Sequence, residues 1–140
     1  MAGKTMKVTL EQVGTVLFEA TGASGGKHLV EGAPDIGGEG KAVRPMELML
    51  SSVASCSAMD VLVILRKQRE PIENLRVEIE GTRVDAVPSP FSSMKMTFIA
   101  RGAVSERKLQ RACSLAVEKY CSARASLPGV EVTWEARLEP

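Results

Sequence analysis

Neither sign of charge dominates this sequence, because its 18 lysine and arginine residues nearly balance its 17 aspartate and glutamate residues. Such a chain lacks the positive field that attracts phosphate backbones and anionic lipid. Several ligand motifs are also missing, namely Gly-x-Gly-x-x-Gly before a helix, the phosphate-loop Gly-Lys-Ser and Cys-x-x-Cys. We therefore expect no nucleic acid, no membrane surface, no cofactor and no metal as partners.

The length and composition are typical of one soluble globular domain. A chain of 140 residues can bury a sizeable core, and 44% apolar with 25% charged residues is an ordinary globular balance. We predict a single domain over residues 1–140. The chain begins without a secretory signal pattern, and three cysteines are an odd number for a disulfide framework. The expected location is a reducing cytoplasm, where a disulfide would be catalytic or sensory.

Alternation of apolar and polar residues predicts strands in three parts of the chain. Residues 6–19 form a hairpin that a third strand near His28 extends, residues 75–100 hold two amphipathic strands, and a last strand begins at Val130. Residues 31–44 contain four glycines and little periodicity, which indicates a long surface loop. Loops of this length in small domains often serve a site.

Two helices are predicted between these strands. The first begins near Pro45, a residue suited to the first helical position, and runs to about Arg69. Its middle is apolar or small nearly all round, as expected of a buried helix in a soluble protein. The second has Ser105 as its N-cap and extends for about 18 residues. The order of elements predicts an α+β fold with helices packed on one face of an antiparallel sheet.

The three cysteines differ in their sequence surroundings. Cys56 lies in the middle of the first helix, where the helix dipole gives little help toward a thiolate. A buried thiol that packs as a small hydrophobe is an equally good interpretation of this position. Cys121 is a second candidate, on the second helix, whereas Cys113 shares an apolar stripe with Leu109 and is predicted to be core. The leading hypothesis is thiol chemistry centred on Cys56, with a purely structural role left open.

Three runs of residues resemble the osmotically inducible protein C and organic hydroperoxide resistance (OsmC/Ohr) superfamily. They are Pro45-Met46-Glu47-Leu48-Met49-Leu50, Ser55-Cys56-Ser57-Ala58-Met59-Asp60-Val61 and Glu118-Lys119-Tyr120-Cys121-Ser122. The resemblance covers nearly the whole chain in element order. It is fairly specific, because a proline eleven residues before the first cysteine and a helix-borne second cysteine occur together. The chain is most similar to the branch with Pro-Met-Glu, rather than Pro-Glu, at the helix start.

The resemblance implies an intertwined homodimer with long central buried helices and two sites at the subunit interface. It also implies a cofactor-free thiol peroxidase. Cys56 would attack an oxygen of an organic hydroperoxide as a thiolate and become a sulfenic acid. Cys121 would resolve it as a disulfide, which a small or protein dithiol would then reduce.

The carboxylates near the first cysteine depart from the family pattern. The resemblance implies a glutamate directly after the proline, which would hold an arginine against the reactive thiol, but Met46 stands there. Glu47 follows it, and a regular helix turns Glu47 about 180° away from Cys56. Asp60 does share the face of Cys56, one turn further on. A negative charge at that distance disfavours a thiolate unless the carboxylate is paired.

The basic residues depart from the pattern as well. The family's arginine comes from the early strands, but the first arginine of this chain is Arg44. Lys27 could supply charge there, without the two-pronged geometry of arginine. Arg44 and Arg124 are the arginines closest in sequence to the three runs, and they are candidate supporting residues together with Glu47 and Asp60. Arg124, three residues after Cys121, is the expected electropositive neighbour, although a solvated cation at a helix end is the commoner role for such a residue. His28 stands alone on its strand and is expected to be structural.

Two functions from different classes follow. The first is an enzyme that reduces organic hydroperoxides through Cys56 and Cys121 at a dimer interface. The second is a catalytically weak redox-sensing or small-molecule-binding protein on the same fold.

Overall fold

The computed structural model describes residues 3–140, and its contacts divide the chain into two compact units, residues 1–49 and residues 50–140. The division falls within the long helix. This division does not test the prediction of a single domain over residues 1–140, which stays a prediction.

The first unit contains an antiparallel sheet of three strands, which confirms the predicted hairpin and third strand. The strands are β1 (Val8–Gln12), β2 (Leu17–Gly22) and β3 (Lys27–Glu31), in that order. Residues directly opposite each other point to the same face, and Leu10 lies opposite Ala20. Val8, Leu10 and Phe18 therefore share one face, and they are 53%, 51% and 39% exposed. One side of this sheet presents apolar side chains that the described chain leaves largely uncovered.

A buried carboxylate organises the loop after β3. Glu31 accepts main-chain hydrogen bonds from Lys41 N–H at 2.7 Å and Glu39 N–H at 2.9 Å. These hydrogen bonds lower the pKa of the Glu31 carboxyl, because they stabilise its charged form. The predicted long loop is therefore an ordered segment, and it contains one 3-10 turn, Pro34–Ile36.

The long helix α1 spans Pro45–Lys67, as the sequence predicts. Its C-terminal end is closed by a hydrogen bond from Glu70 N–H to the Leu65 carbonyl at 3.0 Å, with Arg69 in the left-handed region at φ 57°. By length and composition α1 is apolar enough to cross a membrane, yet only 28% of its most apolar 18-residue window is buried. The covering expected of a central buried helix is thus incomplete within one chain.

The sheet of the second unit is mixed. Its strands are β4 (Ile72–Arg83), β5 (Phe91–Gly102) and β6 (Glu131–Glu139), with β5 in the centre. β4 pairs with β5 antiparallel, but β6 pairs with β5 parallel, so the prediction of a wholly antiparallel sheet is wrong at this edge. The reason is the helical connection between β5 and β6, which is long enough to return the chain to the same end of the sheet.

The second predicted helix is interrupted. It starts as predicted after the N-cap Ser105, whose hydroxyl accepts from Lys108 N–H at 3.4 Å. It then divides into α2 (Glu106–Leu115), a π turn (Ala116–Tyr120) and α3 (Ser122–Ala125). The prediction of one continuous helix of about 18 residues is therefore wrong. The largest fully buried side chains all belong to the second unit and include Phe98, Leu65, Met94, Met96, Leu109 and Cys113.

Candidate active site

Cys56 occupies the middle of α1 and carries a free thiol. It is half-buried, whereas the next residue, Ser57, is fully buried. Successive residues of a helix point about 100° apart, so Cys56 lies at the border between the covered and the open side of α1. Part of the Cys56 residue is therefore open to solvent within one chain.

Cys121 lies at the interruption between the π turn and α3. Its N–H donates to the Ala116 carbonyl, five residues back, at 2.8 Å, and its backbone is extended at φ −68° and ψ 107°. It therefore caps α3 and does not lie within a helix. Its sulfur accepts from Arg124 N–H at 3.3 Å, as an N-cap side chain does. A π turn inside a helix is often found at a functional site.

The fold brings Cys121 to the centre of α1. The Cys121 thiol donates to the main-chain oxygen of Val53 at 3.8 Å, one helical turn before Cys56, and it lies near enough to the Cys56 side chain for that side chain to raise its pKa. Burial raises the pKa of the Cys121 thiol, and the neighbouring Cys56 acts in the same direction. The Ser57 hydroxyl and the Arg124 N–H oppose that rise. Two free thiols with different exposure thus lie side by side.

Arg124 acts on Cys121 through its main chain. Its guanidinium donates from Nη1 to the Leu127 carbonyl at 3.1 Å, which satisfies an acceptor at the end of α3. The side chain therefore has the helix-end role that the sequence left open. A shallow cleft of about 460 Å³ lies here, with Cys121, Arg124, Glu118 and Lys119 among its lining residues.

Asp60 lies one turn after Cys56 on α1. Its Oδ2 is buried and has no hydrogen-bond partner within the part of the chain that the structure describes. Asp60 also borders a cleft of about 470 Å³, whose walls include the apolar side chains of Val63, Ile64 and Leu115 and the ring of Tyr120. A carboxylate and an apolar wall therefore meet in this cleft, one helical turn along α1 from Cys56.

A hydrogen bond joins Arg44 and Glu47 at the start of α1. The Glu47 carboxylate reaches back to accept from Arg44 N–H at 2.9 Å. This is one half of a capping box, so a structural role accounts for Glu47. His28 is exposed on β3 opposite Ala20. No group of three or more histidine, cysteine, aspartate or glutamate side chains that could hold a metal occurs among residues 3–140.

Cys113 lies in the core, as predicted. It is 0% exposed, and burial raises the pKa of its thiol to about 12. Neither Ser57 nor Glu31 was a candidate functional residue from the sequence. Ser57 adjoins Cys56 in sequence, which was a usable signal. Glu31 directly precedes a glycine-rich loop, which in retrospect marks a loop anchor.

Comparison with known proteins places this geometry in a family. Residues 38–135, well over half of the chain, match the family model described as OsmC-like protein. Protein YhfA of Escherichia coli is 32% identical over 118 residues, which cover 84% of this chain and 85% of that protein.

The solved structures agree. The chain superposes on a protein from Aquifex aeolicus with a TM-score of 0.81 and 30% identity, covering 99% of this chain and 100% of that one. An organic hydroperoxide resistance protein from Elizabethkingia anophelis gives a TM-score of 0.71, 99% coverage of both chains and 13% identity, a level that shows the fold alone. The chain belongs to the OsmC-like protein family.

Proposed function

We propose that this protein is a thiol-dependent peroxidase that reduces organic hydroperoxides through Cys56 and Cys121. The observation that carries the proposal is that the fold brings the two free thiols together at the middle of α1. The buried Cys121 sulfur lies 3.8 Å from the carbonyl oxygen of Val53, one helical turn before the half-buried Cys56. Members of this fold family include proteins named for organic hydroperoxide resistance, which supports the substrate class.

The two thiols divide the chemistry. The Cys56 thiol loses its proton to water, and its thiolate attacks the terminal oxygen of the hydroperoxide. The O–O bond breaks, Cys56 becomes a sulfenic acid, and the alkoxide takes a proton from water and leaves as an alcohol. The Cys121 thiolate, its proton lost to water, then attacks the Cys56 sulfur, and the sulfenic oxygen leaves as water. A dithiol supplies two electrons and two protons to return the disulfide to two thiols, and it becomes a disulfide itself.

The cleft beside Asp60 supports an organic substrate. Its walls combine Val63, Ile64 and Leu115 with the exposed ring of Tyr120. An alkyl or aryl group bound there removes apolar surface from water, which hydrogen peroxide cannot do. The proposed substrate class is therefore an organic hydroperoxide.

We also propose that the protein is a homodimer in the cytoplasm. The open side of α1 exposes Met59 by 64% and Val63 by 42%, and these two residues lie one turn apart. Contiguous exposed apolar side chains on a helix of such hydropathy mark a surface that another chain covers. A cytoplasmic location would supply the dithiol reductant that the cycle requires.

A redox-sensing or small-molecule-binding role is the second candidate, and two observations favour it. Met46 stands where the family resemblance implies a glutamate, and the Arg124 guanidinium is engaged by the Leu127 carbonyl. Such a protein would form the Cys56–Cys121 disulfide slowly and would not turn over.

The test is consumption of cumene hydroperoxide with dihydrolipoamide or dithiothreitol as reductant. Wild type is compared with Cys56→Ser, Cys121→Ser and the matched control Cys113→Ala, which removes the buried thiol that no step uses. We expect turnover in wild type and in Cys113→Ala, none in Cys56→Ser, and at most one equivalent consumed by Cys121→Ser.

The second candidate gives a different pattern in the same assay. Wild type would lose two thiols to one equivalent of hydroperoxide and form the disulfide, but multiple turnovers would not be seen. Consumption that is equal in wild type and Cys56→Ser would refute both functions.

A further inference from the structure

The two sulfurs of the candidate site differ in access. Cys121 is 3% exposed, with its sulfur facing Val53 on α1, whereas Cys56 lies half-buried at the open border of that helix. A thiolate must approach the attacked sulfur along the line of the S–S bond, opposite the leaving sulfur. Of the two sulfurs in a Cys56–Cys121 disulfide, that of Cys56 belongs to the less buried residue and is therefore the more open to this approach.

We infer that the reductant attacks the sulfur of Cys56, and that Cys121 departs as a thiolate held by the main-chain N–H of Arg124 and the hydroxyl of Ser57. This inference rests on the proposed Cys56–Cys121 pair. It assigns the direction of the reductive step and gives a role to Ser57, which the family resemblance does not assign.

A departing Cys121 thiolate needs donors, because its surroundings are buried. Burial disfavours the charged form and makes an unassisted thiolate a poor leaving group. The Arg124 N–H is already aligned on the sulfur at 3.3 Å and is fixed by the start of α3. This donor does not have to reorganise when charge develops on Cys121.

Ser57 supplies the second donor. It is 0% exposed, and within residues 3–140 its hydroxyl makes no hydrogen bond of normal geometry. A buried hydroxyl without a partner destabilises a fold, so alanine would suit this position better for packing alone. The hydroxyl nevertheless lies close enough to Cys121 to lower the pKa of that thiol. A thiolate on Cys121 gives the Ser57 proton the acceptor that it otherwise lacks.

The step balances as follows. The thiolate of the dithiol forms a bond with the Cys56 sulfur, the Cys56–Cys121 bond breaks, and its electron pair leaves on Cys121, which later takes a proton from water. The second thiol of the reductant, as a thiolate, attacks the reductant sulfur bonded to Cys56. Cys56 then departs with its electron pair, and the reductant leaves as a cyclic disulfide.

The test forms the disulfide with diamide, so that it does not depend on peroxidase activity. The oxidised protein is treated briefly with 2-mercaptoethanol, a monothiol that cannot complete the second exchange, and is quenched with acid. Free thiols are alkylated with N-ethylmaleimide, and peptide mass spectrometry locates the mixed disulfide. We expect the monothiol on Cys56 and the alkyl group on Cys121. The opposite distribution overturns the inference.

Ser57→Ala tests the leaving-group role, with Ser55→Ala as the matched control on the exposed side of α1. We expect the rate constant for disulfide cleavage to fall about tenfold in Ser57→Ala, the loss of one hydrogen bond to a charged group. The thermal midpoint should stay the same or rise, which a merely structural role would not produce. Cleavage at the wild-type rate would overturn the role of Ser57.

The outcomes separate this inference from the proposed function. If the protein does not turn over hydroperoxide but its diamide-formed disulfide opens at Cys56, the peroxidase proposal is refuted and this inference is supported. Failure of diamide to link Cys56 and Cys121 refutes both. If Ser57→Ala does not fold, the location of the monothiol in wild type still decides the direction of attack.

Discussion

Replacing Met59 by glutamate should separate the proposed dimer into folded monomers. Met59 lies on the open side of α1 with 64% of its surface exposed, next to Val63 on the following turn. A charge at this position is harmless in a monomer, because water solvates it. The same charge is costly where a second chain covers the helix.

The magnitude follows from the exposed fraction. Complete burial of a methionine side chain stabilises by about 1.5–3 kcal/mol. With 64% of Met59 still exposed, its covering by a partner is worth roughly 1–2 kcal/mol for each copy. A symmetric dimer contains the residue twice, so the loss is roughly 2–4 kcal/mol before any charge desolvation. This corresponds to a dimer that dissociates roughly 30- to 700-fold more readily.

Sedimentation equilibrium over a range of protein concentrations measures this change. The matched control is Met59→Leu, which keeps the apolar volume and should leave the dissociation constant within a few-fold of wild type. Far-ultraviolet circular dichroism establishes that both variants are folded. An unchanged dissociation constant for Met59→Glu would refute the assignment of this face of α1 to the interface, and a monomeric wild type at micromolar concentration would refute the dimer.

Three further substitutions test local features of the structure. Gly81→Ala should lower the free energy of unfolding by about 1–3 kcal/mol, because a Cβ there would lie 2.5 Å from a ring carbon of Phe91. Urea denaturation measures the change. Gly129→Ala is the control, because a Cβ at that position meets nothing within 4 Å. Arg69→Gly should raise the thermal midpoint, because glycine adopts the left-handed backbone conformation without the cost of about 1 kcal/mol that a residue with a Cβ has there. A lowered midpoint would contradict this. Glu31→Gln should lower the free energy of unfolding at pH 7. It should also make that free energy depend less on pH in the acid range. The lowered pKa of Glu31 means that its contribution is present above the ordinary value of 4.5 and is lost as the pH falls below it; chemical denaturation from pH 7 to pH 3 measures both effects.

Much of the fold could be predicted because local patterns agree with the final structure. The alternation in residues 75–100 and the apolar run after Pro45 each indicate one type of element, and both appear with nearly the expected bounds. The partner direction of β6 could not be predicted in this way. An amphipathic strand has the same alternation in a parallel and an antiparallel pair, so only the path of the helical connection decides it.

The sequence indicates the candidate cysteines but not the groups that surround them. The resemblance to the OsmC/Ohr superfamily drew attention to Cys56 and Cys121 as a pair, and helix geometry correctly indicated that Glu47 needed another role. The extended backbone of Cys121 and its acceptance from Arg124 N–H depend on a π turn, which apolar periodicity does not reveal. The position of the Ser57 hydroxyl near Cys121 is a tertiary feature, and a serine within a helix carries no local sign of it.

The interruption after the π turn gives two buried thiols, Cys113 and Cys121, different backbone surroundings. Cys113 lies within α2 and Cys121 directly follows the π turn, and both are buried. Cys113 lies within regular helix, where every nearby N–H is already bonded along the ladder, and burial raises the pKa of its thiol to about 12. Cys121 begins a new turn, so the Arg124 N–H is free of any helical carbonyl and can donate to the sulfur. Local backbone geometry therefore limits Cys113 to packing in the core, whereas it gives Cys121 a hydrogen-bond donor that can stabilise a thiolate. The two residues are only eight positions apart.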